Sequence, residues 1–328
     1  MRQVLLTLAV LAGLGLSGAV AVVGLGLYNV SAQVGHLPGV SWVLHTTFRN
    51  SVKLRAPSME EAPDLQDPDL IALGAGHFAT ACAPCHATPD SRRSATMRAM
   101  VPAPPRIRDA IKHWQPNHLH WIVENGVKMS GMPAWPATGR GDEVWAVVAY
   151  LEALRSDARP EAPATVPETE PQRYCATCHG PVDGPVPRLD IQTPAYLEAQ
   201  LQAYLSGARP SGIMAQAVSL VPRDSLSELA RHFAETPDRP APPDLDLQAV
   251  SEGEALAQRG TRDVPACLSC HEDGRRGPPL DGQHRAFLAA QLQLWRDGVL
   301  NHDRVMHAAA HDLSDADIHA LSAYFAGR

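Results

Sequence analysis

Cysteine and histidine recur together at three places in the chain: Cys82-Ala-Pro-Cys85-His86, Cys175-Ala-Thr-Cys178-His179 and Cys267-Leu-Ser-Cys270-His271. All 6 cysteines of the 328 residues sit in these pentads, so none is left for a disulfide or a lone nucleophile. Two thiols three residues apart lie on one side of a helical turn. That separation suits thioether bonds to the two vinyl groups on neighbouring pyrrole rings of a haem. The histidine after the second cysteine is then held under the iron, where a ring nitrogen coordinates it. This is the pattern of c-type haem attachment, and it predicts three covalently bound haem c groups. Two other chemistries use paired cysteines. Zinc needs two further ligands at paired spacing, and no second Cys-x-x-Cys or His pair accompanies each pentad within its unit. A thioredoxin-like dithiol calls for alternating strands and helices, which this sequence lacks.

The ligand on the other face of each iron decides what the haem does. Methionine opposite histidine raises the potential and closes the site to oxygen or peroxide. Of 8 methionines, Met214 is the only one near the second pentad and Met306 the only one near the third. Both lie 35 residues beyond their pentad histidine, which predicts a shared role as axial ligands. Around the first pentad stand Met97, Met100, Met129 and Met132; Met132, in Gly131-Met132-Pro133, lies in a turn that can approach a flat macrocycle, and is the expected ligand. Met97 and Met100 read as core or surface residues. The predicted iron ligands are therefore His86 with Met132, His179 with Met214, and His271 with Met306. His307 is the rival to Met306. His113, His118, His120, His232, His284, His302, His311 and His319 read as exposed or capping residues. Carbonyls at Pro105, Pro187 and Pro279 are candidate partners for the free nitrogen of each pentad histidine.

Two proline- and acid-rich stretches, 158–172 and 236–247, read as stiff extended linkers, and Ala56 to Pro68 as a third. They divide the chain into a membrane anchor or signal segment (1–30), a juxtamembrane linker (31–70) and three units, 71–157, 173–235 and 248–328, each holding one pentad. Units two and three are copies: Met214 to Phe233 and Met306 to Phe325 are both 19 residues, and Leu189-Asp190 echoes Leu280-Asp281. Unit one has the same order of parts with a longer middle. Apolar residues at three- and four-residue spacing predict helices through Trp145–Leu151, Leu226–Phe233 and Ile318–Phe325, with Ser314 as an N-cap. No alternating strand is evident. The expected fold class is all-α, three small helical domains behind an N-terminal helix.

The run from Val4 to Leu27 is uncharged and long enough to span a bilayer. It predicts an anchor in a bacterial inner membrane with the rest of the chain in the periplasm; the alternative is a cleaved signal and a soluble periplasmic protein. Trp42 to Leu54 is a candidate surface helix, with Trp42 and Phe48 at headgroup depth. The net charge of −7 argues against nucleic acid as a partner.

These motifs resemble class I cytochromes c, from Gly74 to Phe325. Unit one, with Gly74-Ala-Gly-His-Phe78, its pentad, Gly131-Met132-Pro133 and Trp145, is similar to single-haem modules tethered to respiratory membranes. Units two and three, with Gly282-Gln283-His284, Tyr196/Phe287 and Leu313-Ser314-Asp315, resemble the tandem domains of periplasmic di-haem cytochromes c. The resemblance implies six-coordinate His/Met haems that pass electrons between redox proteins: a periplasmic dehydrogenase, a terminal oxidase or a small cytochrome. The chain reads as an electron carrier or the cytochrome subunit of a larger enzyme. The alternative is a haem enzyme such as a peroxidase, which needs one iron with an open position and a distal acid or base. Unit two departs from the pattern. Pro171 leaves no room for a first helix before Cys175, and His232 stands where an apolar residue is expected to pack.

Overall fold

The structure, a computed structural model, describes residues 1–128, 130–156, 167–237, 246–272, 274 and 276–328. Among these residues it contains helices and no strand. Most of the linker stretches 158–172 and 236–247, and Met129, lie outside the described residues.

Helix α1 (Arg2–Gly24) buries none of its residues and is long and apolar enough to cross a membrane. Helix α2 (Val40–Arg55) docks on unit one: Val52 is fully buried, and the Phe48 ring meets Trp114 edge-on at 5.6 Å. Phe48 therefore turns toward the protein rather than outward, while Trp42 at the other end of α2 stays 71% exposed.

In unit one, α3 (Pro68–His77) starts with Pro68 at its first position and the Asp67 side chain accepting the Asp69 N–H. A π-turn at Phe78–Cys82 leads into α4 (Ala83–His86). Then follow α5 (Ala95–Ala99), α6 (Ile107–Ile111), α7 (Pro116–Asn125) and α8 (Gly141–Arg155). Helix α8 contains the predicted segment around Trp145, and every residue from Val144 to Leu151 is buried. Only a helix packed on both sides buries such a run. One side takes α3, α6 and α7; the other takes unit two. Gly74 lets α3 cross α8 closely, since a Cβ there would stand 1.9 Å from the Ala146 carbonyl oxygen.

Unit three repeats this crossing. Its helices are α13 (Leu247–Arg259), α14 (Leu268–His271), α15 (Arg285–Arg296), α16 (Arg304–Ala310) and α17 (Asp315–Ala326). A Cβ on Gly253 of α13 would stand 2.1 Å from the Ala320 carbonyl oxygen of α17. Helix α17 opens with Ser314 and Asp317 in a reciprocal capping box, and Ile318, Leu321 and Phe325 go into the core.

Unit two has α9 (Pro171–Cys175), α10 (Pro194–Ser206), α11 (Gly212–Ser219) and α12 (Leu226–Glu235). Its α9 has 5 residues, with Pro171 at the first helical position instead of in an extended linker. Among the described residues no long first helix crosses α12. Unit one packs there instead: Leu73 of α3 and Ala146 of α8 form a small core with Val182 and Val186 of unit two. His232 points to solvent on α12, edge-on to Phe233, so this position is not a core position.

Candidate haem sites

Each pentad winds into one helical turn. The His179 and His271 amides donate to the Cys175 and Cys267 carbonyls at 3.0 and 3.1 Å, and α4 spans Cys85 and His86. Both cysteines of each pentad therefore share a side with their histidine. The imidazoles are fixed by backbone carbonyls: His86 Nδ1 lies 2.8 Å from the Pro105 oxygen, His179 Nδ1 3.3 Å from Pro187, and His271 Nδ1 2.8 Å from Pro278. A carbonyl only accepts, so Nδ1 carries the proton and Nε2 keeps its lone pair for a metal. The third partner is Pro278 and not Pro279, whose carbonyl instead accepts from Gln192 Nε2 at 2.9 Å. Aligning Leu189-Asp190 with Leu280-Asp281 pairs Pro187 with Pro278, so the repeat held this correction. The loop beyond the third pentad passes so close to the His271 ring that a Cβ on Gly277 would stand 2.6 Å from Cε1.

The thiols are poor candidates for dithiol or thiolate chemistry. Burial pushes Cys82 and Cys175 up to about 12 and Cys267 to about 11, with the neighbouring pentad cysteine adding to the rise. A reactive or metal-binding cysteine needs its thiolate held near neutral pH. No disulfide joins any two of the six cysteines, and among the described residues no group of three His, Cys, Asp or Glu is arranged to hold a metal ion.

Units two and three share one continuous cavity of about 600 Å³. Both pentads line it, and so do His179, His271, Met214 and Met306, with apolar side chains such as Leu197, Phe233, Leu288 and Phe325 between them. An apolar slot with a histidine and two thiols on one edge fits a haem. Met214 sits on α11 and Met306 on α16, and both helices start with a side-chain cap, from Ser211 and Asp303. His307 is absent from the lining; its Nδ1 bonds the Trp295 carbonyl at 2.7 Å. In unit one, Met132 is half-buried in a turn closed by the Val127 amide on its carbonyl and by its own amide on Ser130 Oγ. Met132 does not line the shared cavity, and Met100 packs over Gly131 beside it. Two histidines depart from the expected exposure: His120 is buried with Nε2 2.8 Å from the Gly141 carbonyl, and His284 Nδ1 lies 2.7 Å from the Val186 carbonyl of unit two. His118 caps the Gln115 amide, in the expected manner.

Sequence reasoning missed the polar groups that join the units. Between units two and three, Gln283 and the Arg188 backbone exchange two hydrogen bonds, at 2.8 and 3.0 Å, and Arg209 donates to Gln200 and Gln291 at 2.6 and 2.8 Å. Between units one and two, Arg140 and Glu143 reach the segment that opens α11. These residues carry no local spacing signal for the joints, because their partners in the neighbouring unit are 68 to 95 positions away.

The sequence profile of the family "Cytochrome C oxidase, cbb3-type, subunit III" matches residues 69–151 and 248–325. A thiosulfate dehydrogenase electron acceptor from Thiomonas intermedia is 32% identical over 185 residues, covering 51% of this chain and 84% of the relative. Cytochrome c4 of Azotobacter vinelandii is 32% identical over 178 residues, covering 47% of this chain and 83% of the relative. The crystal structure of reduced cytochrome c4 from Pseudomonas stutzeri aligns with 48% of this chain and 95% of its own, at 30% identity and a TM-score of 0.42.

Proposed function

The chain belongs to the cytochrome c family, and from that premise we propose that it carries electrons through three covalent haems between redox proteins at the periplasmic face of a bacterial membrane. Family membership brings covalently bound haem c, whose chemistry is reversible one-electron transfer. The haem-bearing units are 71–157, 173–235 and 248–328. Cys82 and Cys85, Cys175 and Cys178, and Cys267 and Cys270 form the thioethers. His86, His179 and His271 take one face of each iron, and Met132, Met214 and Met306 take the other.

One observation carries this reading: all three pentad histidines have Nδ1 tied to a proline carbonyl, at 2.8, 3.3 and 2.8 Å. Such a bond fixes the ring and its tautomer, with the proton on Nδ1, the arrangement expected of an iron ligand. The shared cavity supports a direct passage between units two and three. The relatives named as electron acceptors of thiosulfate dehydrogenase support a dehydrogenase as the electron source. Helix α1 would keep the chain at the membrane surface. The test is a visible spectrum of the oxidised full chain: a far-red methionine-to-iron band from each haem supports transfer, and a high-spin signal from any haem favours catalysis. Co-purification from solubilised membranes then identifies the partner.

A further inference from the structure

Ser211 and Asp303 stand at matching places, each three residues before the methionine of its unit. In unit three, Asp303 Oδ1 accepts from the Val305 and Met306 amides at 2.8 and 3.1 Å, so α16 is capped from within the unit. In unit two, the Ser211 hydroxyl accepts the Met214 amide at 3.1 Å and donates its own proton to Glu143 Oε1, on α8 of unit one. Glu143 Oε2 accepts the Gly212 and Ile213 amides at 2.6 and 3.3 Å. The carboxylate that opens the methionine helix thus comes across the joint between units.

Unit one holds that carboxylate firmly. Arg140 lies 2.8 Å from Glu143 Oε1, and Trp135 Nε1 donates to Oε2 at 3.2 Å. Arg140 also donates to the Pro210 carbonyl at 2.7 Å, next to Ser211. The Glu143 side chain is 9% exposed, and all five groups bonded to it are donors, an array of charge-assisted bonds suited to an ionised carboxylate. Burial, and after it the charge of Asp142, raise this carboxyl above its ordinary range, opposed in part by Arg140, the Ser211 hydroxyl and the Gly212 amide. Gly212 completes the fit: a Cβ there would stand 2.1 Å from Trp135 Nε1, whereas unit three has Arg304 at the matching place.

We propose that Glu143 is a positioning residue for Met214, so that unit one completes the coordination of the haem in unit two. The inference rests on the ligand reading of Met214 given above. Met214 bears on its helix through Ser211, and Ser211 bears on Glu143; losing the carboxylate frees the start of α11 and lets the sulfur leave the iron.

The experiment uses the oxidised, haem-loaded full chain, its far-red methionine-to-iron band and a redox titration. Met214→Ala should remove about one third of the band, since it takes one of three methionines off iron. Glu143→Ala should remove the same third and lower one of three potentials, with the covalent haem content unchanged. Glu143→Gln, which keeps the shape but turns an N–H₂ toward donors, should remove part of it. Adding Ser211→Asp to Glu143→Ala should restore the band, because it rebuilds the arrangement of unit three. A full band and unchanged potentials in Glu143→Ala, with Met214→Ala losing its third, overturn the proposal. A Glu143→Ala loss well beyond one third is general unfolding and also overturns it. If Met214→Ala itself keeps the full band, the ligand reading falls, and this inference falls with it.

Discussion

Unit three crosses α13 over α17 and caps its methionine helix with its own Asp303; unit two has the short α9 before its pentad, packs on unit one instead of a first helix, and backs its own Ser211 cap with the carboxylate of Glu143 from unit one. The two share their pentad-to-methionine and methionine-to-phenylalanine spacings, so the repeat is the same in outline. The difference lies in who supplies the missing parts. A first helix buries the back of the pentad, and in unit two Leu73 and Ala146 of unit one do this against Val182 and Val186. Gly76 of α3 comes so close that its Cβ would stand 3.2 Å from Cys178 Sγ. A repeat embedded in a longer chain can shed a helix and a capping carboxylate where a neighbour provides the apolar face and the carboxylate. Unit three should then unfold as a self-contained body, while units one and two melt together.

The sharpest way to break this comparison is a core truncation in unit three. Leu321 is 1% exposed and sits on α17 among Ile318, Tyr324 and Phe325. Leu321→Ala should cost about 2–5 kcal/mol, the usual range for a cavity left by a buried leucine. Denaturant unfolding followed by the bands of single-haem variants should place the loss in unit three and leave the Met214 haem unmoved; an equal loss in unit two would mean that the two units fold as one.

Acid sharpens it from the other side. His77 on α3 is buried, tilted against Trp135 at 4.7 Å, and burial pushes it down from 6.5 to about 4. Its folded pKa is depressed, so the unfolded chain binds the extra proton between these values. The neutral ring contributes fully above pH 6.5, and stability falls as pH drops toward 4, by about 3 kcal/mol at the limit. Unfolding midpoints at pH 7 and pH 4.5 should fall for units one and two more than for unit three, and His77→Phe should flatten the difference. A fall shared equally by unit three would contradict an effect of His77 confined to units one and two.

Three substitutions with smaller effects test the joint and the cap separately. Gly212→Ala forces a methyl into the Trp135 indole and should cost about 1–3 kcal/mol, seen in tryptophan fluorescence and in the unfolding of unit two. Arg304→Ala, at the matching exposed place in unit three, should stay within about 0.5 kcal/mol. Asp303→Ala removes the acceptor for two amides and should cost about 1 kcal/mol, read as lower stability of unit three alone.

How much of this was legible depended on the reach of the interactions. The all-helical class, the helices around Trp145, Leu226 and Ile318, and the Ser314 cap come from spacings of three and four residues. The pentads are local too, and so is the carbonyl at Pro187, 8 positions from its histidine. The burial of Phe48, His120 and His232 is not legible locally, because it depends on which face of a helix a distant element covers. Glu143 looks like any acid in the first turn of a helix; its partners at 211, 212 and 213 become neighbours only when unit one docks on unit two. Only the change from Asp303 to Ser211 within an otherwise matched repeat hinted that unit two lacks a carboxylate of its own.

Electron transfer through all three units depends on haem bonded through sulfur at three sites. The intact mass of the purified chain after extraction with acidified acetone tests this directly. Retention of three haem groups per polypeptide is the expected result; pigment that washes out, or a mass carrying fewer than three, would contradict it.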